Sequence, residues 1–288
     1  MVAPPRRIGV VGLGTMGAAI AQVCIQAGLD VVGLEANEQL AQRGEGIVRK
    51  NLGRLVERDK LSAAARDEAL GRLRVTTEYQ RLADRDLVVE AIVELPDVKR
   101  QVFQKLGEVC DSEVVLSSNT SSLPVVEMAA AARHPERVVG THFFNPPQQL
   151  KLVEIVAPLT AATEAVERAV AFVTAVGHVP IRVKDTPGFV VNRLFVPMAL
   201  DAMRLYESGV ASAEDIDRGC QLGLGHSMGP LATSDLIGLD TMMHVADSFY
   251  EEYGEARFKP PTVLKRLVAA GHLGRKTGRG FYTYQAKP

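Results

Sequence analysis

Short, predominantly apolar runs recur through the first two thirds of the chain. They lie at Ile8-Gly9-Val10-Val11, at Val31-Val32-Gly33-Leu34, at Leu87-Val88-Val89-Glu90-Ala91, and again over residues 114–118, 138–144, 151–156 and 179–183. Runs of this length, apolar at most successive positions, read as strands covered on both faces. Between them lie segments with helical spacing, at 38–60, 62–73, 97–109, 124–132 and 163–176, the last followed by Gly177 in the position favoured after a helix end. Strand and helix in alternation predict an α/β fold built on a doubly wound, mostly parallel sheet.

From Asp185 the texture changes to amphipathic helices bounded by glycine and proline. Asp185-Thr186-Pro187-Gly188 is the predicted junction, dividing a first domain over 1–185 from a smaller, all-helical domain over 186–288. The pattern predicts one long helix over 188–208, kinked at Pro197 and stopped by Gly209. A second begins at Ser212-Ala213-Glu214-Asp215, a capping signature with Asp in place of the usual Glu or Gln, and another at Met228-Gly229-Pro230. Residues 8–29 carry no charge and imitate a membrane span. Their glycines, Gln22 and Gln26 favour a strand, a turn and a helix instead.

The first apolar run opens directly into Gly12-Leu13-Gly14-Thr15-Met16-Gly17. In a dinucleotide-binding fingerprint of this kind, Gly12 permits the tight turn, Gly14 lets the backbone approach a pyrophosphate, and Gly17 lets the helix pack on the strand. The helix then offers its N–H groups, those of Thr15 and Met16 included, to the phosphates. The second run ends in Glu35, placed to bind the ribose hydroxyls of the adenosine half. Its carboxylate repels a 2′-phosphate, and the next arginine is Arg43, so the expected cofactor is NAD rather than NADP. A solvated strand-end residue is the plainer reading of Glu35. The first domain is therefore expected to be of Rossmann type.

Charge adds little to this picture, because 33 Lys and Arg balance 34 Asp and Glu. Nothing in that balance calls for nucleic acid or an anionic membrane. Cys24, Cys110 and Cys220 are odd in number, far apart and set among apolar neighbours, as reduced core residues of a cytoplasmic protein would be, with neither a disulfide framework nor a metal site. Pro4-Pro5-Arg6-Arg7 is too short a leader for a signal peptide.

Dehydrogenation needs a base for the hydroxyl proton, and histidine suits that task near neutral pH. His142 falls late in a predicted strand, where ligands of open α/β sheets collect. Glu154 interrupts the apolar run Leu152-Val153-Glu154-Ile155-Val156, a costly place for a carboxylate without a partner. A His142–Glu154 dyad accounts for both. A satisfied core histidine and a solvent-facing glutamate are the alternatives.

The chain resembles the short-chain L-3-hydroxyacyl-CoA and 3-hydroxybutyryl-CoA dehydrogenases over nearly its whole length. The resemblance rests on Gly12 to Gly17, Val89-Glu90-Ala91-Ile92-Val93-Glu94, Ser118-Asn119-Thr120-Ser121-Ser122-Leu123, His142-Phe143-Phe144-Asn145-Pro146, Leu152-Val153-Glu154, Pro187-Gly188-Phe189-Val190-Val191-Asn192-Arg193 and the run from Gly274 to Tyr282. It implies NAD-dependent, reversible oxidation of an (S)-3-hydroxyacyl-CoA to the 3-oxoacyl-CoA, with His142 as general base oriented by Glu154. It also implies that Ser121 bonds the reacting oxygen and that Asn192, from the second domain, helps hold the substrate. Glu94, Lys99, Asn119 and Asn145 would lie near the cofactor and Lys276 near its distal part. Arg49, Lys50 and Arg54, in a basic stretch with Arg58 and Lys60, match the region that contacts coenzyme A, although a solvated helix face explains these charges equally well. An acyl carrier protein thioester or a free hydroxy acid is the alternative substrate, and a dinucleotide-sensing protein that has lost its chemistry is the alternative class. The family is expected to form homodimers through the helical domain. Gln148 and Gln149 replace smaller residues usual after Asn-Pro, so they either read a polar acyl chain or are neutral loop residues.

Overall fold

The computed structural model describes residues 3–285. Its first apolar run becomes strand β1 (Arg7–Val11), which leads through the glycine turn into helix α1 (Thr15–Gln26) and strand β2 (Asp30–Leu34). The uncharged stretch that imitates a membrane span is therefore a strand, a turn and a helix. Among the described residues no helix is long and apolar enough to cross a membrane. Helices α2 (Glu38–Glu57) and α3 (Ala63–Gly71) precede β3 (Leu73–Thr76). There follow β4 (Leu87–Glu90), α4 (Pro96–Val109), β5 (Val115–Ser118), α5 (Val125–Ala131), β6 (Val138–Phe143), β7 (Leu152–Ala157), α6 (Thr163–Ala175) and β8 (Val179–Lys184).

The eight strands form one sheet in the order β3-β2-β1-β4-β5-β6-β7-β8. Strands β1 to β6 are parallel, β7 runs antiparallel to β6, and β8 is parallel to β7. The first six strands follow the doubly wound order 3-2-1-4-5-6, whose order reverses between β1 and β4, where ligands of such sheets bind. Each sheet face carries its own core. One joins Ile8, Val10, Val139, Phe143 and Ile155 to Val48 and Leu52 of α2 and Phe172 of α6. The other joins Val88, Leu116, Val138 and Val156 to Phe103 of α4 and Met128 of α5.

Three local expectations are corrected. Residues 73–76 are a strand, not the end of a helix and a loop; Leu73-Arg74-Val75-Thr76 is a four-residue edge strand too short to display a period in sequence. Helix α2 stops at Glu57 rather than at Lys60, and Asp59 just beyond it has a left-handed φ of 53°. The first helix after the junction, α7 (Val191–Glu207), begins at Val191 rather than Gly188, because Gly188 (φ 77°) and Phe189 (φ 47°) are both left-handed.

The chain divides into two compact units, one ending at Phe189 and the other beginning at Val190. In the second unit α7 is followed by α8 (Ala213–Leu224), α9 (Pro230–Ile237), α10 (Leu239–Tyr253) and α11 (Thr262–Ala269) around Leu200, Met203, Leu231, Met242, Phe249 and Phe258. Ser212 caps α8 by accepting the Asp215 N–H at 3.1 Å, and its own hydroxyl donates to the Asp215 carboxylate at 2.8 Å. Two buried aspartates organise this unit. Asp217 accepts the Leu231 and Ala232 N–H groups at the start of α9, and Asp235 accepts those of Phe281 and Tyr282. Cys24 and Cys110 are buried as expected, whereas Cys220, on the half-exposed side of α8, is not a core residue.

Candidate active site

The glycine turn sits at the carboxyl end of β1, against the residues that follow β4. Gly12 has a φ of 86° and packs so closely that a Cβ there would come within 2.9 Å of the Ala91 carbonyl oxygen. A Cβ on Gly17 would lie 1.7 Å from the Gly12 carbonyl oxygen, so α1 approaches the turn only because that residue has no side chain. At Gly14 the same methyl would meet nothing within 4 Å. The outer glycines are thus required by the protein's own packing, while the middle one faces open space. The first bond recorded at the start of α1 runs from the Ala18 N–H to the Gly14 carbonyl at 2.9 Å, and the earlier N–H groups lie ahead of it at the positive end of the helix. An exposed Gly14 and Thr15 and a half-buried Met16 line that end. This arrangement fits a pyrophosphate.

Glu35 follows β2 and reaches back to the turn, where its Oε1 accepts the Leu13 N–H at 2.6 Å. Leu13 is almost fully buried, lodged against Gly33 and Gly44. The carboxylate that would read the ribose is thus fixed by the loop that would hold the phosphates.

His142 and Glu154 are twelve residues apart in sequence but directly opposite on the antiparallel β6–β7 ladder. Opposed residues of such a pair project to the same face with neighbouring Cβ atoms, which is why the two side chains meet. His142 Nδ1 lies 2.7 Å from Glu154 Oε2, with the histidine 5% exposed and the glutamate 0%. The solvent-facing alternative for Glu154 is thereby removed. Bonding through Nδ1 commits that nitrogen to the carboxylate and leaves Nε2 for chemistry. Phe144 and Phe189 flank the imidazole, their ring centroids 4.5 Å and 5.7 Å from its own.

A second acidic cluster lies at the ends of β4 and β5. Glu90 is fully buried and accepts from Lys99 Nζ at 2.6 Å, the Ile92 N–H at 2.8 Å and the Ser118 hydroxyl at 2.7 Å. Lys99, 1% exposed, also lies 3.1 Å from Glu94 Oε2. The other oxygen of Glu94 accepts the Thr120 hydroxyl and, at 3.2 Å, the Ser121 N–H. Burial alone would raise the Glu94 pKa, but the Lys99 charge and these donors outweigh it and hold the carboxyl below its usual range. Asn119 stitches the neighbouring strand ends together, its N–H donating to the Glu90 carbonyl at 2.8 Å and its side-chain oxygen accepting the Phe143 N–H at 2.9 Å. Glu94, Asn119 and Ser121 are therefore tied by one set of bonds around the ends of β4, β5 and β6, which reaches β6 at Phe143, next to His142. Lys99 lies beneath this set, its charge already shared between two glutamates.

Sequence reasoning passed over Glu90, although it interrupts an apolar strand as Glu154 does. Asp185 was also read only as part of a junction. Its carboxylate accepts the Val125 and Val126 N–H groups at 3.0 Å and 2.7 Å, capping α5 from across the fold just after the Ser121 loop. Burial holds the Asp185 carboxyl above its usual range, against the lowering effect of those two donors.

Asn145 is exposed on the loop that leaves β6. Gln148 on that loop donates to the Gln22 side chain of α1 at 2.9 Å, so this amide is already engaged by the protein, while Gln149 is exposed. His178 anchors the same loop, with Nε2 2.9 Å from the Pro147 carbonyl oxygen. Arg49, Lys50 and Arg54 all lie on the exposed side of α2, whose buried face is Ala41, Gly44, Val48 and Leu52, and Arg49 pairs with Glu45 at 2.8 Å. In the second unit, Asn192 is half-buried in the first turn of α7, beside Arg193, whose guanidinium stacks 3.4 Å from the Tyr253 ring centre. Lys276 is exposed and lies 2.6 Å from the Asp240 carboxylate.

Two family models match the chain. That of the 3-hydroxyacyl-CoA dehydrogenase NAD binding domain covers residues 7–186, and that of the 3-hydroxyacyl-CoA dehydrogenase C-terminal domain covers 188–284. The chain is 47% identical over 281 residues to a 3-hydroxybutyryl-CoA dehydrogenase of Mycobacterium tuberculosis, which spans 97% of this chain and 98% of that protein. A probable 3-hydroxybutyryl-CoA dehydrogenase of Deinococcus radiodurans is 41% identical over 96% of this chain and 100% of its own length. Among solved structures, the (S)-3-hydroxybutyryl-CoA dehydrogenase of Ralstonia eutropha superposes with a TM-score of 0.94 at 40% identity, covering 98% of this chain and 100% of that one.

Proposed function

Because the chain belongs to the 3-hydroxyacyl-CoA dehydrogenase family of NAD-dependent oxidoreductases, we propose that it interconverts an (S)-3-hydroxyacyl-CoA and the 3-oxoacyl-CoA, with His142 as general base. The observation that carries this reading is the buried 2.7 Å contact between His142 Nδ1 and Glu154, which aims Nε2 away from the carboxylate. NAD, when bound, supplies the hydride acceptor. Everything else falls to the protein's own groups.

In the oxidative direction His142 Nε2 takes the proton of the C3 hydroxyl as the C3 hydride departs. The imidazolium that forms lies against a carboxylate already in place, so its charge is met without rearrangement. Ser121, whose N–H is held by Glu94, offers its hydroxyl to the same oxygen. In the reductive direction the imidazolium returns its proton to the growing alkoxide. Lys99 acts through Glu94, which it orients, rather than by reaching the ligand itself. Arg49, Lys50 and Arg54 give α2 an exposed positive face suited to the phosphates of coenzyme A or to an acidic carrier protein. The CoA thioester is favoured because both family models describe 3-hydroxyacyl-CoA dehydrogenases and the relatives are named 3-hydroxybutyryl-CoA dehydrogenases. A homodimer and a cytoplasmic location are consistent with this reading.

Initial rates with the two enantiomers of 3-hydroxybutyryl-CoA test it, with NAD and NADP run side by side. NAD reduction is expected with the (S) enantiomer alone, and Glu35→Arg is expected to move the preference toward NADP by removing the carboxylate that repels its phosphate. Equal rates with both enantiomers, or NADP efficiency matching NAD in the unaltered protein, would overturn the assignment.

A further inference from the structure

Phe189 is a buried aromatic residue in a conformation that aromatic residues avoid. It closes the turn Thr186-Pro187-Gly188-Phe189, in which its N–H donates to the Thr186 carbonyl at 2.9 Å, with Pro187 and a left-handed Gly188 at the central positions. That turn is relaxed by its own residue types. The strain begins one residue later, where Phe189 itself has a φ of 47°. For a bulky side chain such a backbone is a costly outlier, and it persists only where the surroundings impose it. Glycine at this position would remove the cost.

The left-handed backbone turns the Phe189 side chain inward. The residue is 6% exposed and belongs to the core that holds Val125, Val156 and Val183, and its ring centroid lies 5.7 Å from that of His142 at an interplanar angle of 56°. Phe144 stands 4.5 Å from the same imidazole at 51°. Both distances fall in the range of favourable tilted ring contacts. Three contacts thus define the histidine: the Glu154 carboxylate fixes the Nδ1 edge, and two phenyl rings limit rotation of the plane. Four residues before Phe189, Asp185 caps the helix that follows the Ser121 loop.

We propose that Phe189 is a positioning residue for the catalytic base, held in a strained backbone so that its ring fixes the plane of His142 and keeps water from the His142–Glu154 contact. This assignment rests on the dehydrogenase reading above. Phe189→Leu and Phe189→Ala are expected to lower kcat for (S)-3-hydroxybutyryl-CoA by about ten- to a hundredfold, the scale on which small misplacements of a reacting group act. The dissociation constant for NADH should stay within about twofold, because no phosphate or ribose contact is touched. Phe189→Tyr keeps the ring and should restore most of the rate. A core-filling role predicts the opposite split, with a lowered melting temperature and unchanged kcat in Phe189→Leu, and that result would overturn the proposal. So would a kcat loss that Phe189→Tyr fails to rescue. Should Phe189→Ala not fold, Phe189→Leu carries the comparison.

A second readout does not need turnover. The Nδ1 proton of His142, observed by nuclear magnetic resonance on the ¹⁵N-labelled protein, should be sharp and far downfield in the wild type and in Phe189→Tyr, and lost to solvent exchange in Phe189→Leu. Equal sharpness in all three contradicts the proposal. A wild type that is silent toward acyl-CoA counts against the dehydrogenase reading alone, because the resonance still reports on Phe189.

Discussion

Replacing His142 by glutamine lowers kcat by about 10²- to 10⁴-fold, the range that a positioned general base contributes. Glutamine is chosen because its amide N–H can donate to Glu154 in place of the ring, so the buried carboxylate keeps a partner from position 142 and the fold survives. Alanine would strip that donor from a fully buried acid and add a stability loss of about 1–3 kcal/mol, confusing the result. The glycine turn and Glu35 are untouched by the substitution, so NADH binding followed by fluorescence should match the wild type. Turnover within a few-fold of wild type would remove His142 from the reaction.

Glu154→Gln is the companion experiment. The amide keeps the size of the carboxylate but loses its charge, and it can present either its oxygen or its NH₂ group to Nδ1. In the second case the ring takes the wrong tautomer and Nε2 no longer accepts a proton. In the first, no charge meets the imidazolium. Carboxylate-to-amide changes beside catalytic histidines act at about 10⁴-fold at their most severe, so a kcat loss of about 10²- to 10⁴-fold is expected. Removing a buried charge also removes its desolvation cost, so the melting temperature should hold to within a few degrees. A protein that unfolds without losing intrinsic turnover would instead make Glu154 a structural charge.

Much of this site was legible in the chain because each signal joined two levels of structure. Three glycines in a row of six carry little information, but a preceding apolar run and a following acid turn them into a strand, a turn and a helix, with Glu35 bonded back to the turn. Glu154 was legible because a carboxylate within Leu-Val-Glu-Ile-Val needs a partner, and the antiparallel β6–β7 pairing sets His142 opposite it. Glu90 carried the same signal in Leu-Val-Val-Glu, but its partner Lys99 lies on α4, and a helix-to-strand contact leaves no register to read.

Other features were hidden for different reasons. Edge strand β3 has a single buried residue, Leu73, so four residues could not announce a strand. The start of α7 was misplaced because Phe189 adopts a left-handed φ that no sequence rule assigns to phenylalanine. Gln148 looked available to a ligand until the fold brought Gln22 of α1 to within 2.9 Å of it, across 126 residues of chain.

The unaltered protein is expected to act as an NAD-dependent dehydrogenase of CoA thioesters. The most direct measurement follows NADH absorbance with acetoacetyl-CoA, with free acetoacetate and with NADPH as parallel reactions. Rapid loss of NADH with the thioester, together with slow reactions of the free acid and of NADPH, is the predicted result. A protein that binds NADH yet leaves acetoacetyl-CoA unreduced, or one that reduces the free acid equally well, would contradict it.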